Sequence, residues 1–461
     1  MDDGGGAIHA GDACGPTFSA CQFLHNHVEG VAGFEGGGAI RTTPGNSLTL
    51  IDRHFEANTL AGTPAWGGAI YDWGGTITLT GCTFTEYASE VSAGAVTTYL
   101  SDMTQTECTY TGNSSIFAGA VWDDSSESTY VNCTFEDNFT ANTGEDNSGG
   151  AYIANNGASA TMTGCTFEGN TSSLGGGVFA NVNSVVIMDG CYLEGNTASN
   201  AGGGLVVQID SVATVTNCTF TDNESPFGGG GAGVAAGTHV TFINTLFAGN
   251  QSTSNPGGGL VVGAFNGADA SVMLISSTLS GNQAPVGGAV RIDDNGGSAT
   301  IVDSILWGET PDGISDPFGL ATISYSNIHG GWPGNGNIDG DPLLVDPESE
   351  DHRLSTGSCA IDAADNSAVP DGIMTDLAGN PRFVDDPDTV DNGLGALPIV
   401  DMGAYEYQLP CPADGAVNVF DLLQLLEAWG PCPGCPDDLT GDDVVNVSDL
   451  LELLGEWGPC D

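Results

Sequence analysis

Two short motifs alternate in fixed order through the first 300 of 461 residues. The first is Gly-Gly-Ala followed by an apolar residue. Its second Gly, or the equivalent, falls at Gly6, Gly38, Gly68, Gly94, Gly119, Gly150, Gly177, Gly204, Gly233, Gly259 and Gly288, ten steps with a mean near 28 residues. The second is aromatic-x-x-Asn, as in Phe23/Asn26, Phe55/Asn58, Tyr110/Asn113, Phe135/Asn138, Phe167/Asn170, Phe220/Asn223 and Phe247/Asn250. Leu193/Asn196 and Leu279/Asn282 are variants, and Phe84 keeps the register with Tyr87 in the Asn place. A fixed period of this length is the mark of a stacked repeat architecture.

Between the motifs lie short Thr/Val-rich runs such as residues 76–84 and 184–193. Each unit holds about three β-type runs separated by Gly, Asn and Thr turns, and none has a helical apolar period. One such coil cannot bury its own inner face, whereas coils stacked at the ~4.8 Å strand spacing can. The expected fold is all-β, a right-handed parallel β-helix of ten or eleven rungs. The aromatic column stacks inside, and the Asn column sits at a left-handed turn with its amides bonded to one another. The Gly pairs allow a tight corner without a Cβ. Cys21, Cys82, Cys108, Cys133, Cys165, Cys191 and Cys218 stand two residues before the anchor. They read as a stack of parallel thiols, because parallel side chains suit the ~90° disulfide torsion poorly.

Residues 4–300, with GGAI and FxxN recurring in constant order, resemble polymorphic outer-membrane-type, right-handed β-helix repeat proteins. Beyond them, ISYSNIHGGW (323–332), GDPLLVDP (340–347), LSTGSCAIDAAD (354–365), DLAGNPR (376–382) and VDMGAYE (400–406) resemble the C-terminal portion of extracellular β-helix proteins with interchangeable anchors. The organisation read is repeats over 1–300, closing coils and a cap over 301–409, and a small domain over 410–461. In the middle region Asp362, Asp376, Arg382, Asp401 and Glu406 read as a structural network. Asp339, Asp341 and Asp346 are weighed as a Ca²⁺ site against the simpler reading of solvated acids. The chain starts within a repeat, and MDDGGGAI has neither a basic nor an apolar leader segment. We read it as N-terminally truncated, from an extracellular or cell-surface protein.

The last segment is a duplication, residues 411–432 and 435–460. Asp421 to Trp429 and Asp449 to Trp457 are both eight steps, and each copy carries a Leu-rich amphipathic run. The second loop offers oxygen ligands at EF-hand-like spacing: Asp438, Thr440, Asp442, the Val444 carbonyl, Asn446 through water, and Asp449. This resembles the dockerin duplication, whose loops end in Asp. It departs from the pattern at Asp443, which replaces the turn Gly, and at Thr440. The first copy is four residues shorter and keeps Asp414, Asn418 and Asp421. The resemblance implies Ca²⁺ at the second loop and a cohesin-like or cell-surface partner. Cys411, Cys432, Cys435 and Cys460 bracket the copies, and disulfides 411–432 and 435–460 are the first choice for so small a domain. A zinc reading is weaker, since only Cys432 and Cys435 have CxxC spacing.

Charge narrows the function. There are 59 acidic residues, five Arg and no Lys, a formal net charge of −54. Five scattered cations cannot neutralise a run of phosphates or dock on an anionic bilayer, and no apolar run is long enough to span one. Polysaccharide lyases on parallel β-helices would need a Lys- or Arg-like base, and Arg41, Arg53 and Arg291 lie too far apart to cluster. A hydrolase needs paired carboxylates. The best pair is Asp72 with Asp123, two rungs apart, beside an outward column of Arg41, Tyr71 and Trp122 able to stack on sugar rings. An ordinary polar strand end is the simpler account of that pair. The leading reading is a non-catalytic β-helix for adhesion or glycan contact, attached through a dockerin-like tail. The alternative is an extracellular carbohydrate-active enzyme, a polysaccharide lyase or glycoside hydrolase.

Overall fold

A computed structural model describes residues 6–11, 15–19, 21–29, 36–56, 59–61, 66–89, 92–140, 149–235, 237–264, 269–293, 296–311 and 313–408, and within the tail 416–417, 422–423, 425–426, 429–431, 444–455 and 458–459. Three parallel sheets of 12 strands each, every strand paired with its counterpart one repeat away, form a solenoid. The first sheet runs from Ile8–Ala10 to Ile314–Ser315, the second from Thr17–Ser19 to Ala321–Ser324, and the third from Gln22–Leu24 to Asn327–Ile328. Alternation places Ile70, Val96, Val121, Tyr152, Val178 and Leu205 of the first sheet in one continuous core with Ile77 and Leu79 of the second.

The corner before the first sheet needs glycine for a reason of distance. A Cβ on Gly119 would stand 1.9 Å from the Gly150 carbonyl oxygen, and one on Gly150 equally close to that of Gly176. The column continues through Gly203, Gly230, Gly258 and Gly288. The sequence register therefore slips by one residue at Gly177, Gly204 and Gly259, and further at Gly233. Those rungs carry glycine where earlier rungs have alanine, so the motif alone is ambiguous there.

Phe23, Phe55, Phe84, Tyr110, Phe135 and Phe167 stack face to face with centroids 4.7–4.9 Å apart, the strand spacing itself. Three residues on, Asn113, Asn138, Asn170, Asn196, Asn223, Asn250 and Asn282 form a closed amide ladder, all 0% exposed. From Asn113 to Asn250 each Nδ2 donates to the Oδ1 of the next Asn at 2.9–3.0 Å. It also donates to the anchor carbonyl of the preceding rung, as Asn196 does to Phe167. The left-handed backbone lies one residue earlier than the Asn, at Gly112, Asp137, Gly169, Gly195, Asp222, Gly249 and Gly281. The turn strain is carried by Gly or Asp, which leaves the Asn free to aim its amide along the axis.

A fourth, six-stranded sheet runs from Ser114–Ser115 to Gln251–Ser252. Against the outer side of the first sheet, Ile153, Phe179 and Val206 pack with Ala93, Ala118, Leu174 and Ala201 in a second apolar cluster.

After the last coils the chain returns along the flank. The Gly403 amide donates to the Asp303 carbonyl at 2.7 Å, the Ala404 amide to Thr278 Oγ1 at 3.0 Å, and Asn244 Nδ2 to the Thr375 carbonyl at 2.8 Å. Ile305 of the third sheet packs there with Leu354, Ile361, Val400 and Met402. In the tail, Ala416–Val417 pairs antiparallel with Gly458–Pro459, and Gly430–Pro431 with Val444–Val445, ahead of a helix at Val447–Gly455. The two copies thus exchange equivalent strands.

Candidate functional site

Asp72, Thr98 and Asp123 occupy one column, so the two carboxylates are two rungs apart. They face the interior, and both are 0% exposed. Asp123 accepts from Thr98 Oγ1 at 2.6 Å, Tyr130 Oη at 2.7 Å and Tyr152 Oη at 2.8 Å, and burial raises its pKa. Asp72 accepts from Thr42 Oγ1, and burial pushes it up to about 6. The expectation of a pair open to substrate is corrected: these carboxylates are enclosed polar links between rungs.

Arg41, Tyr71 and Trp122 do lie on the outward side of the first sheet, with Arg41 in register with Tyr71. They are not a free platform. Arg41 is 5% and Tyr71 8% exposed, and the Trp66 ring stacks on Tyr71 at 6.1 Å. Trp122 is half-buried against Phe117 at 5.2 Å. Trp66 and Phe117 thus close this column.

The thiols of Cys82, Cys108, Cys133, Cys165, Cys191 and Cys218 are buried and free. Each donates to the carbonyl two residues back on its own strand, at 3.1–3.6 Å, so all point alike. All six are 0% exposed, and a thiol reacts only where a reagent can reach it. Iodoacetamide on the native chain is therefore expected to label the exposed Cys21 and Cys359 and spare these six, as read by peptide mass mapping. Labelling of the column without denaturant would contradict this packing.

An open groove of about 290 Å³ lies where the return segment meets the third sheet. Tyr192, Thr219 and Thr221 come from the sheet, and Glu350, His352 and Tyr405 from the return segment. Tyr192 is 57% exposed. Partial burial, then neighbouring acids that include Glu350, raises Glu194 and Asp222. Burial lowers His352 below the ordinary imidazole value. Burial, then Asp376 and Tyr192, raises Tyr405. The groove thus offers aromatic faces, hydroxyls and acceptor carboxylates. Sequence reasoning missed it because its two walls come from different parts of the chain, one of them outside the repeat.

Arg382 is fully buried among the acids of the return segment. Its Nη2 donates to the Gly403 and Asp401 carbonyls at 2.6 and 3.3 Å, and its Nε stands 3.8 Å from Glu406. Asp376 accepts from the Glu406 amide, and Asp401 from those of Asp362 and Tyr407. Asp339 and Asp341 accept from the Gly330 and Leu343 amides. Among the described residues, three ligand-type groups converge instead at Asp362, Asp385 and Asp391.

Of the tail residues, Asn446 Oδ1 accepts from the Ser448 amide at 2.8 Å, and its Nδ2 donates to the Val444 carbonyl at 2.9 Å, which caps the helix. Asp438, Thr440, Asp442 and the side chain of Asp449 lie outside the described residues, as do Cys411, Cys432, Cys435 and Cys460.

These features define a parallel β-solenoid with a lateral groove. The family model described as the right handed beta helix region matches residues 1–173 and 139–316, and the chain belongs to that family. No curated protein matches the chain significantly.

Proposed function

We propose that this β-helix is a non-catalytic glycan-contacting protein that binds along its flank, at the groove between the third sheet and the return segment. The supporting observation is the exposed Tyr192 ring among Thr219, Thr221 and the Glu350 carboxylate. Sugar rings stack on aromatic faces, and their hydroxyls bond to carboxylate and hydroxyl acceptors. Glu350 lines the groove, its charge reaches Glu194 and Asp222, and the chain carries a net charge of −54, so the ligand is a neutral or amino-sugar polysaccharide rather than a uronate. We infer an extracellular or cell-surface setting, with the duplicated tail acting as a dockerin-like, Ca²⁺-dependent attachment to a protein partner.

Calorimetry with neutral and amino-sugar oligosaccharides is expected to show binding that Tyr192→Ala weakens at least ~tenfold, the worth of a good aromatic contact. Tyr99→Ala, an exposed tyrosine on the first sheet, serves as the control and leaves binding unchanged. No binding by any such glycan, or equal loss in both variants, would overturn this reading. A second reading, glycoside hydrolysis, draws on the raised carboxyls beside Glu350. Release of reducing ends that Glu350→Gln abolishes would favour it.

A further inference from the structure

We propose that Asp362, Asp385 and Asp391 form a divalent-cation site for Ca²⁺ that pins the return segment, separate from the tail loop and independent of the glycan reading. One carboxylate oxygen from each residue lies within 4.8 Å of the others. Oxygens held 2.3–2.6 Å from a common Ca²⁺ cannot be farther apart than about twice that radius, so the spread fits one ion.

Acids often cluster in solvent with no ion between them, and Asp385 and Asp391 are exposed. Asp362 is different. It is 0% exposed, its Oδ2 accepts only a 3.3 Å bond from the Asp386 amide, and its Oδ1 is buried with no donor. A buried carboxylate oxygen without a donor is costly unless a cation or a proton meets it.

The surrounding backbone is built to present these groups. Asp362 has a left-handed backbone, φ 50°. Its amide donates to Asp401 Oδ1 at 2.7 Å, and its carbonyl accepts from the Asn392 and Gly393 amides at 2.9 and 3.0 Å. Asp386 ties its own loop by accepting from the Asp388 amide at 3.1 Å and from Thr389 Oγ1 at 2.7 Å. That loop carries Asp385 at one end and Asp391 at the other, both within reach of Asp362. Arg382, shortly before Asp385 in the chain, gives its Nη2 to the carbonyls of Asp401 and Gly403. An all-oxygen, carboxylate-rich set that opens on one side to water suits a hard cation with several water ligands.

The test uses the full chain carrying Asp438→Ala and Asp442→Ala, which silence the tail loop, after removal of metal with EGTA. Calcium titration by calorimetry is expected to give one equivalent with a Kd of about 10⁻⁴–10⁻³ M, the range of extracellular modules. Adding Asp385→Asn and Asp391→Asn, both at exposed positions, is expected to weaken it at least ~tenfold. Calcium should raise the Tm of the parent and leave that of the variant in place, while the two have matching circular dichroism in EGTA. No calcium binding by the parent at ~10 mM, above that range, or equal binding by parent and variant, overturns the proposal. Glycan binding measured on the same variants in EGTA reads the groove without calcium, so either site can fail while the other stands.

Discussion

An Asn196→Ala chain is expected to unfold at markedly lower denaturant, with a loss of about 3–5 kcal/mol. The side chain closes four bonds. Its Oδ1 accepts from the Asn170 amide and Asn170 Nδ2, and its Nδ2 donates to Asn223 Oδ1 and the Phe167 carbonyl. Truncation leaves the Asn170 amide buried with no acceptor and opens a void beside Leu193. Asn196→Asp is a sharper probe. It keeps the acceptor but loses both donors and buries a charge, so it should be worst at high pH and partly recover as the carboxyl protonates. Guanidinium unfolding at two pH values reads both variants. An alanine variant within ~0.5 kcal/mol of the parent, the scatter of an ordinary surface substitution, would mean that the ladder is not a stabilising element.

The second large effect is on pH dependence. Burial raises Asp72 to about 6 and Asp303 to about 7, and Asp401, also raised by burial, to about 7. Asp123 and Glu309 move the same way. In the unfolded chain such carboxyls titrate near ~4. Between about pH 4 and 7 the folded chain therefore holds more protons than the unfolded one, and stability falls as pH rises. Below that window both states are protonated and the advantage is complete. The rise at Asp303 alone corresponds to roughly 4 kcal/mol as a ceiling. Self-repulsion at a net charge of −54 acts in the same direction. Urea midpoints in EDTA at constant ionic strength should be higher near pH 4.5 than near pH 7.5, a window set by these shifts. Asp303→Asn, which keeps an acceptor for the Asp365 amide, should flatten the profile. A midpoint that climbs over this range would contradict the burial assigned to these groups.

How much of this was legible in the sequence depended on repetition. The Phe/Tyr stack and the Asn ladder announce themselves because every rung restates them. The left-handed residue was misplaced by one position because Gly and Asp share that task and neither recurs strictly. Asp72 and Asp123 read as a hydrolase-type pair or a polar strand end because an acid inside a solenoid is unusual. Their Thr and Tyr partners lie on other strands and leave no local pattern. The cover over Tyr71 and Trp122 was missed because its segments vary in length and composition from rung to rung. The return segment has no period at all, so nothing in the sequence shows that Tyr405 meets Tyr192, or that Asp362 meets residues more than twenty positions away.

The amide ladder has a direction. Every Asn from 113 onward donates toward the next rung, and the last, Asn282, donates to Glu309 Oε1 at 3.1 Å. Glu309 is buried, and its other oxygen meets no donor, so the relay ends there. A unit inserted upstream finds an acceptor ahead and a donor behind, and can join without altering its neighbours. A unit appended past Glu309 finds a carboxyl with no amide to hand on. The solenoid behaves like a file of head-to-tail dipoles with a terminator at one end, which lets it lengthen from within while its C-terminal end stays fixed.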